Sequence, residues 1–249
     1  MSAQTQSLTF REFAATDAPE LAALINGAFA VDHFFKYPEF YDRVNVDLLQ
    51  SALQDKNLLY WLGFIPDDEF TQPSLCSCVL ISAYVEIIPS GEDVQPTVVP
   101  YLTFTQNPNS IDVLKNLQDA PKPFSVRLIS SISQVSVDPG KQGRGLGKHL
   151  IRGTEQHLSE SINTQRLTEI NQVLKLTNLQ SHCQSISHIA QLEVLVAVRP
   201  ELLPFYSKLG YIVTKEGVPF SAQHICLPEY SFTSTTMEKV ISTNTNPPS

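Results

Sequence analysis

The sequence has little that would tie it to a membrane, to nucleic acid or to a disulfide framework. Its longest apolar runs are Leu58–Ile65, interrupted by Gly63, and Leu192–Val198, interrupted by Glu193. Both fall far short of the ~20 residues that a membrane-spanning helix needs. The opening MSAQTQSLTF lacks the charged and apolar blocks of a secretory leader, so a soluble chain of the cytoplasm or nucleus is expected. Positive charge is scarce: 17 Lys and Arg stand against 25 Asp and Glu, for a formal net charge of −8 and a pI of about 5.2. That balance argues against a nucleic-acid partner and is ordinary for solubility. The cysteines Cys76, Cys78, Cys183 and Cys226 include no C-x-x-C pair, and free buried thiols in a reducing compartment are the simplest reading. His182, Cys183, His188, His224 and Cys226 match no standard zinc spacing, so no metal site is expected.

What is present is a globular pattern. Of 249 residues 42% are apolar and 17% charged, enough for a sizeable core. Leu8–Phe13 alternates like a strand. Asp17, with Pro19 and Glu20 following, has the spacing of a capping box for a helix from Ala18 to about Ala30. Residues 31–44 are rich in aromatics interleaved with acids. Val46–Gln54 predicts a second helix with Asn45 as its cap. Leu58–Ile65 and Leu75–Ile88 predict strands, joined by a loop that opens at Pro66-Asp67-Asp68. Residues 89–123 are read as an insertion over a sheet edge, with a short helix around Ile111–Leu117. Phe124–Val137 predicts a long strand and Gly145–Leu158 a helix. Leu167, Ile170 and Leu174 predict another helix within a second insertion, 159–190. Leu192–Val198 is apolar enough for a strand covered on both faces. A short helix at Phe205–Leu209 ends at Gly210. Tyr211–Lys215 and Phe232–Val240 predict closing strands, and Ser242–Ser249 a disordered tail. The sum is an α/β fold: one domain over 1–241, a mixed sheet with helices on both faces.

The segment with most chemistry is Gln134-Val-Ser-Val-Asp-Pro-Gly-Lys-Gln-Gly-Arg-Gly-Leu-Gly-Lys148. An apolar strand end leads through Asp138-Pro139-Gly140 into glycines at 143, 145 and 147 and then a helix. Unpaired amides and the dipole at a helix N-terminus attract phosphate, and glycine lets backbone approach an anion closely. Lys141, Arg144 and Lys148 add positive charge. Taken alone, the glycines fit a tight packing turn equally well. Spacing excludes two phosphate motifs. A P-loop needs glycine where Gln142 stands and Ser or Thr where His149 stands. The dinucleotide fingerprint needs G-x-G-x-x-G, whereas G-x-G-x-G occurs here.

Gln142, Gly145 and Gly147 do fit Q-x-x-G-x-G, which resembles the acetyl-coenzyme-A motif of the GNAT family of N-acetyltransferases. A second block, Leu192–Val196 followed by Leu203-Pro-Phe-Tyr-Ser-Lys-Leu-Gly-Tyr211, resembles the family's fifth strand and its F-Y-x-K-L-G-F/Y signature. Thr235–Lys239 is similar to the last strand of many members. The resemblance spans Leu8–Ile241 and implies a GNAT-like acyl-CoA N-acyltransferase fold. It implies a bulged cofactor strand whose backbone at Val135 and Val137 meets pantetheine and thioester. It also implies a pyrophosphate held by Gln142, Gly143, Arg144, Gly145, Leu146, Gly147 and Lys148.

N-acetyl transfer needs an uncharged amine near the thioester, an oxyanion donor and an acid for the leaving thiolate. The resemblance puts Tyr206 in the acid's role. The position of the family's strand glutamate is Ser131 here, flanked by Ser130 and Ser133. No carboxylate lies on that strand; Glu86, ordered water and Glu193 are the alternatives for the base, none of them assigned. The family's cofactor asparagine is replaced by Arg199, which either reaches the coenzyme phosphates or flanks the helix start. The implied acceptor is a small-molecule or peptide amine entering between Asp32–Asp42 and Gly217–Tyr230. Tyr37 and Tyr41 there stand beside Glu39 and Asp42. A non-catalytic acyl-coenzyme-A-binding module is the alternative reading.

Overall fold

A computed structural model describes residues 8–66, 73–91, 95–220 and 222–244, with backbone only for 161–164 and 243–244. The strands are β1 (Thr9–Glu12), β2 (Leu58–Ile65), β3 (Ser74–Pro89), β4 (Thr97–Pro100), β5 (Phe124–Val137), β6 (Cys183–Val194), β7 (Ile212–Pro219) and β8 (Thr233–Asn244). The α-helices are α1 (Ala18–Phe29), α2 (Val46–Ala52), α3 (Tyr101–Gln106), α4 (Asp112–Asp119), α5 (Leu146–His157), α6 (Asn163–Leu176) and α7 (Leu202–Ser207). The described strands form one eight-stranded mixed sheet in the order β1-β2-β3-β5-β6-β8-β7, with β4 added beside β3. The chain has an α/β fold.

Two compact units can be distinguished: Met1–Ile81, Ile132–Thr154 and Leu192–Glu238 in one, Ser82–Ser131, Glu155–Gln191 and Lys239–Ser249 in the other. In the first, α1 and α2 lay Leu21, Leu24, Ile25 and Leu49 against Tyr60, Leu62 and Phe64 of β2 and Leu75 and Cys78 of β3. In the second, Phe104 of α3, Leu114 and Leu117 of α4 and Ile170 and Leu174 of α6 enclose Val85, Ile87, Phe124, Val126 and Leu128. Each buried aliphatic side chain contributes roughly 1.5–3 kcal/mol by leaving water, which makes these apolar faces the main source of fold stability.

Several local expectations hold. Asn45 Oδ1 accepts from Leu48 N at 2.9 Å and caps α2. All four cysteines are buried free thiols. Other expectations are corrected. Asp17 does not cap α1: it turns back to accept from Ala14 N at 2.8 Å and from both arms of Arg11 at 2.6 and 2.7 Å. A bidentate guanidinium outcompetes helix amides for that carboxylate, and Glu20 instead accepts from Leu75 N at 3.2 Å.

Residues 89–123 do not merely cover an edge. They contribute β4, which pairs antiparallel with Tyr84–Ile87 of β3, and two helices. The strand expected at Leu192–Val198 is the end of a longer one: β6 starts at Cys183 and stops at Val194, and 196–198 form a turn. Ile186, His188, Ala190, Leu192 and Val194 alternate on its buried face, a period concealed by a buried histidine. At the C-terminus, β8 continues through Ser242, Thr243 and Asn244, the first residues of the expected tail. Residues 245–249 and most of the loop opening at Pro66 lie outside the described residues.

Candidate functional site

β5 ends where apolar alternation gives way to turn chemistry. The Asp138 amide donates to Cys76 O at 2.8 Å, tying the turn to β3, while Asp138 Oδ1 accepts from Gly140 N at 2.9 Å. This fixes the 3-10 turn Pro139–Lys141. Lys141 is engaged within the turn's surroundings: its Nζ donates to Ser74 Oγ at 2.8 Å and lies 3.8 Å from Asp138 Oδ2. Gln142 Nε2 donates to Val137 O at 3.2 Å, so the glutamine of the motif clamps the strand end to the turn.

Gly143 and Gly145 both have φ of +78°, in the left-handed region that disfavours any side chain, and a Cβ added at either would meet nothing within 4 Å. The loop is therefore open on the side where those side chains would stand. α5 begins at Leu146, and His149 N donates to Gly145 O at 3.2 Å. The amides of 146–148 precede that bond and have no acceptor inside the helix. Gln142, Gly143, Arg144, Gly145 and Lys148 are exposed, while Leu146 is buried with Ile65 and Cys76 and anchors the helix start. Exposed amides, a helix dipole and two exposed cations fit a pyrophosphate.

Gly147 has a different task. A Cβ added there would lie 3.8 Å from Phe205 Cζ and 3.8 Å from Val137 Cγ2. The aromatic helix α7, far along the chain, thus meets the end of β5 and the start of α5 at one glycine. Pro204 sits in the first turn of α7, where its missing N–H breaks no helical bond. The helix closes with Leu209 N and Tyr211 N both donating to Tyr206 O, at 2.9 and 3.2 Å, and with Gly210 at φ +93°. Tyr206 is 5% exposed and packs edge-on against Phe205 and Tyr211, with centroids 5.0 and 5.9 Å away. Its hydroxyl has no hydrogen-bond partner among the described residues, and burial pushes its pKa up to about 12, so it stays protonated at neutral pH.

β5 itself is irregular just before the turn. Gln134 has φ +47°, a left-handed residue inside a strand, and it interrupts the alternation of buried and half-buried positions at 133–135. Val135 and Val137 are half-buried on either side of buried Ser136. Of the candidate bases, Glu86 is paired with Arg127 at 3.1 Å, while Ser130, beside the position of the family's glutamate, is fully buried against His188 Nε2 at 2.9 Å. Ser131 is half-buried and Glu193 exposed.

The two segments expected to flank an acceptor do meet. Tyr37 N donates to Ile225 O at 3.2 Å, Leu227 N to Phe35 O at 2.8 Å, and Lys36 and Cys226 form a bridge between them. Their aromatics divide by role. Phe35 is buried against Phe232 and Tyr230, at 5.0 and 6.3 Å, whereas Phe34 is 57% exposed and Tyr41 stacks on His33 at 4.2 Å. Arg199 lies here: its Nη2 is 3.8 Å from Asp32 Oδ1 and its Nη1 3.8 Å from Glu201 Oε1. Sequence reasoning missed two cations beside it. Lys36 is almost wholly buried, 4.0 Å from Asp32 Oδ2, with its pKa lowered by burial despite that carboxylate. Arg43, its pKa also lowered by burial, rests 4.1 Å over the Phe29 ring. The only sequence signal for Lys36 was its place between Phe35 and Tyr37.

No protein-family model and no curated protein matches the sequence. Solved structures do. The spermidine N-acetyltransferase from Vibrio cholerae in complex with CoA and spermine is 14% identical, with 94% of this chain and 95% of that chain covered at a TM-score of 0.50. NAA60 from Arabidopsis thaliana in complex with acetyl-CoA is 13% identical, with 94% of this chain and 99% of that chain covered at a TM-score of 0.47.

Proposed function

We propose that this chain, whose fold is that of the GNAT N-acetyltransferases, moves an acetyl group from acetyl-CoA to a primary amine of a small molecule, amino acid or peptide. The observation that carries the reading is the meeting of Val137, Gly147 and Phe205, which sets the open glycine turn beside the helix of Tyr206. Bound acetyl-CoA supplies the activated thioester. Gly143 and Gly145 leave room for its pyrophosphate, and the amides of residues 143–148 with Arg144 and Lys148 neutralise it. The backbone beside Gln134, at Val135 and Val137, accommodates pantetheine and the thioester carbonyl. Arg199 is shared between the phosphate end and the acceptor segment, where Asp32 already engages it.

In the transfer the amine nitrogen bonds to the carbonyl carbon, the carbon–sulfur bond breaks, and the nitrogen gives up its proton to water. Tyr206 contributes a hydroxyl that is protonated at working pH and donates to sulfur as negative charge develops. Because a free thiol has a pKa near ~8.5, a tyrosine held at about 12 gains most by hydrogen bonding to the departing sulfur in the transition state. The exposed Phe34 and Tyr41, next to Asp42 and Glu39, suit an amine with an apolar or aromatic body.

Coenzyme A release, measured with acetyl-CoA across polyamines, amino acids and N-terminal peptides, tests the reading. Acceptor-stimulated release supports the enzyme. Acetyl-CoA binding with no release by any acceptor supports the binding-module alternative. With the best acceptor, Tyr206→Phe should lower kcat by at least about tenfold while acetyl-CoA affinity holds; full turnover would remove Tyr206 from the chemistry.

A further inference from the structure

The geometry points to Tyr60 as a positioning residue: its hydroxyl holds Gln134 in the left-handed conformation that opens the cofactor strand. This rests on the acetyl-CoA reading above and extends it to a residue outside both recognised motifs. Tyr60 lies on β2 and Gln134 on β5, and β3 runs between them in the sheet. The Tyr60 hydroxyl nevertheless donates to Gln134 Oε1 at 2.7 Å. Two strand spacings separate such positions by roughly 9–10 Å, so only a long pair of side chains passing over a small residue can close that gap. Cys78 on β3 is that small residue: it is fully buried in the same cluster as Tyr60. Tyr60 is itself 5% exposed, and burial raises its pKa, so the hydroxyl remains a donor.

Gln134 has no intrinsic reason to be left-handed. Glycine takes φ near +50° freely and asparagine tolerates it, but a glutamine there must be held by its surroundings. Two contacts hold it: Tyr60 on the side-chain amide, and Ser136 Oγ, which donates to Gln134 O at 3.1 Å. The second is local and travels with the strand. The first reaches across β3, and so fixes the irregularity relative to the sheet. A left-handed residue rotates the peptide groups that follow it, here those of Val135, out of the regular ladder. The hydroxyl of Tyr60 therefore sets which way the thioester-facing backbone points, without touching the ligand.

The test is a double-mutant cycle on the whole chain. Acetyl-CoA affinity is measured by titration calorimetry in the wild type, Tyr60→Phe, Gln134→Gly and the double variant, with thermal unfolding alongside. Phenylalanine keeps the ring and loses one hydrogen bond, and a loss of about fivefold in affinity is expected in the wild-type background. In the Gln134→Gly background, where glycine adopts the conformation unaided, the same substitution should cost nothing. An equal loss in both backgrounds, or none in either, overturns the inference, since a packing role of the hydroxyl would not depend on residue 134. Amide exchange at Val135 and Ser136 gives a ligand-free readout. Tyr60→Phe should accelerate it only when Gln134 is present, and unchanged exchange overturns the inference. If the wild type does not bind acetyl-CoA, the proposed function falls while exchange still decides the role of Tyr60.

Discussion

β5 is one strand with two characters. From Phe124 to Ser131 it behaves as core: Phe124, Val126 and Leu128 are fully buried on alternate positions, and the intervening Arg127 pairs with Glu86. From Ile132 to Val137 the alternation fails at Gln134, Ser133 to Val135 are half-buried, and the chain runs into the glycine turn. Regular pairing uses every backbone group in the sheet; a left-handed residue withdraws some of them. The first stretch stabilises and the second, on the reading proposed, binds. A single strand meets both demands because strain tolerated near one end is offset by burial along the other.

The largest expected effect separates the two stretches by stability. Leu128→Ala, at a fully buried position among Phe104, Leu114 and Ile170, should lower unfolding free energy by about 2–5 kcal/mol. Val135→Ala, half-buried, should cost about 1 kcal/mol or less. Chemical denaturation measures both, and equal losses would break the distinction.

A second effect sharpens it through pH. His188 on β6 is fully buried, its Nε2 2.9 Å from Ser130 Oγ of β5 and its Nδ1 without a hydrogen-bond partner among the described residues. Burial, and then the nearby charge of Arg166, push its pKa down to about 4. The folded state thus binds a proton less readily than the unfolded chain, whose histidine titrates near ~6.5. The contribution is fully present above that value and is lost as pH falls through 6.5 towards 4, by at most ~3 kcal/mol. His188→Gln, which keeps a donor for Ser130, should flatten that part of the stability profile. An unchanged acid limb would mean that the imidazole is already protonated in the fold.

These two stretches also differ in how far they could be read in the sequence. Phe124–Leu128 follows a period of two, and burial follows the same period before Leu128, Ile129 and Ser130 are buried in succession. The glycine turn was legible because backbone conformation there is written in residue type: only glycine sits comfortably at φ +78°, and two of the three glycines do so. The third, Gly147, packs under Phe205, so spacing alone had not separated its role from that of its neighbours. What stayed hidden depended on distant partners. Nothing local marks Gln134 as left-handed, because Tyr60, 74 residues earlier, helps hold it. Lys36 reads as a surface lysine until Cys226 is brought opposite it. His188 concealed the start of β6 because a polar residue broke an apolar period that it belongs to. Asp17 satisfied the spacing of a cap, yet Arg11 was the better partner.

The smallest effect bears on the turn itself. Gly145→Ala adds one methyl group into open space, so any loss arises from φ of +78° and not from a clash. About 1 kcal/mol of backbone strain follows, and either stability falls by that amount or the loop relaxes to a different conformation. On the proposed function the relaxed loop turns its amides away from the pyrophosphate, and acetyl-CoA affinity should drop by about fivefold with little change in unfolding temperature. Gly147→Ala is the matched control for packing: its methyl would make ordinary contacts with Phe205 and Val137 at 3.8 Å. Were Gly145→Ala to leave calorimetric affinity unchanged, the left-handed glycines would serve only to turn the chain, and the distinction between a core stretch and a binding stretch of β5 would lose its second half.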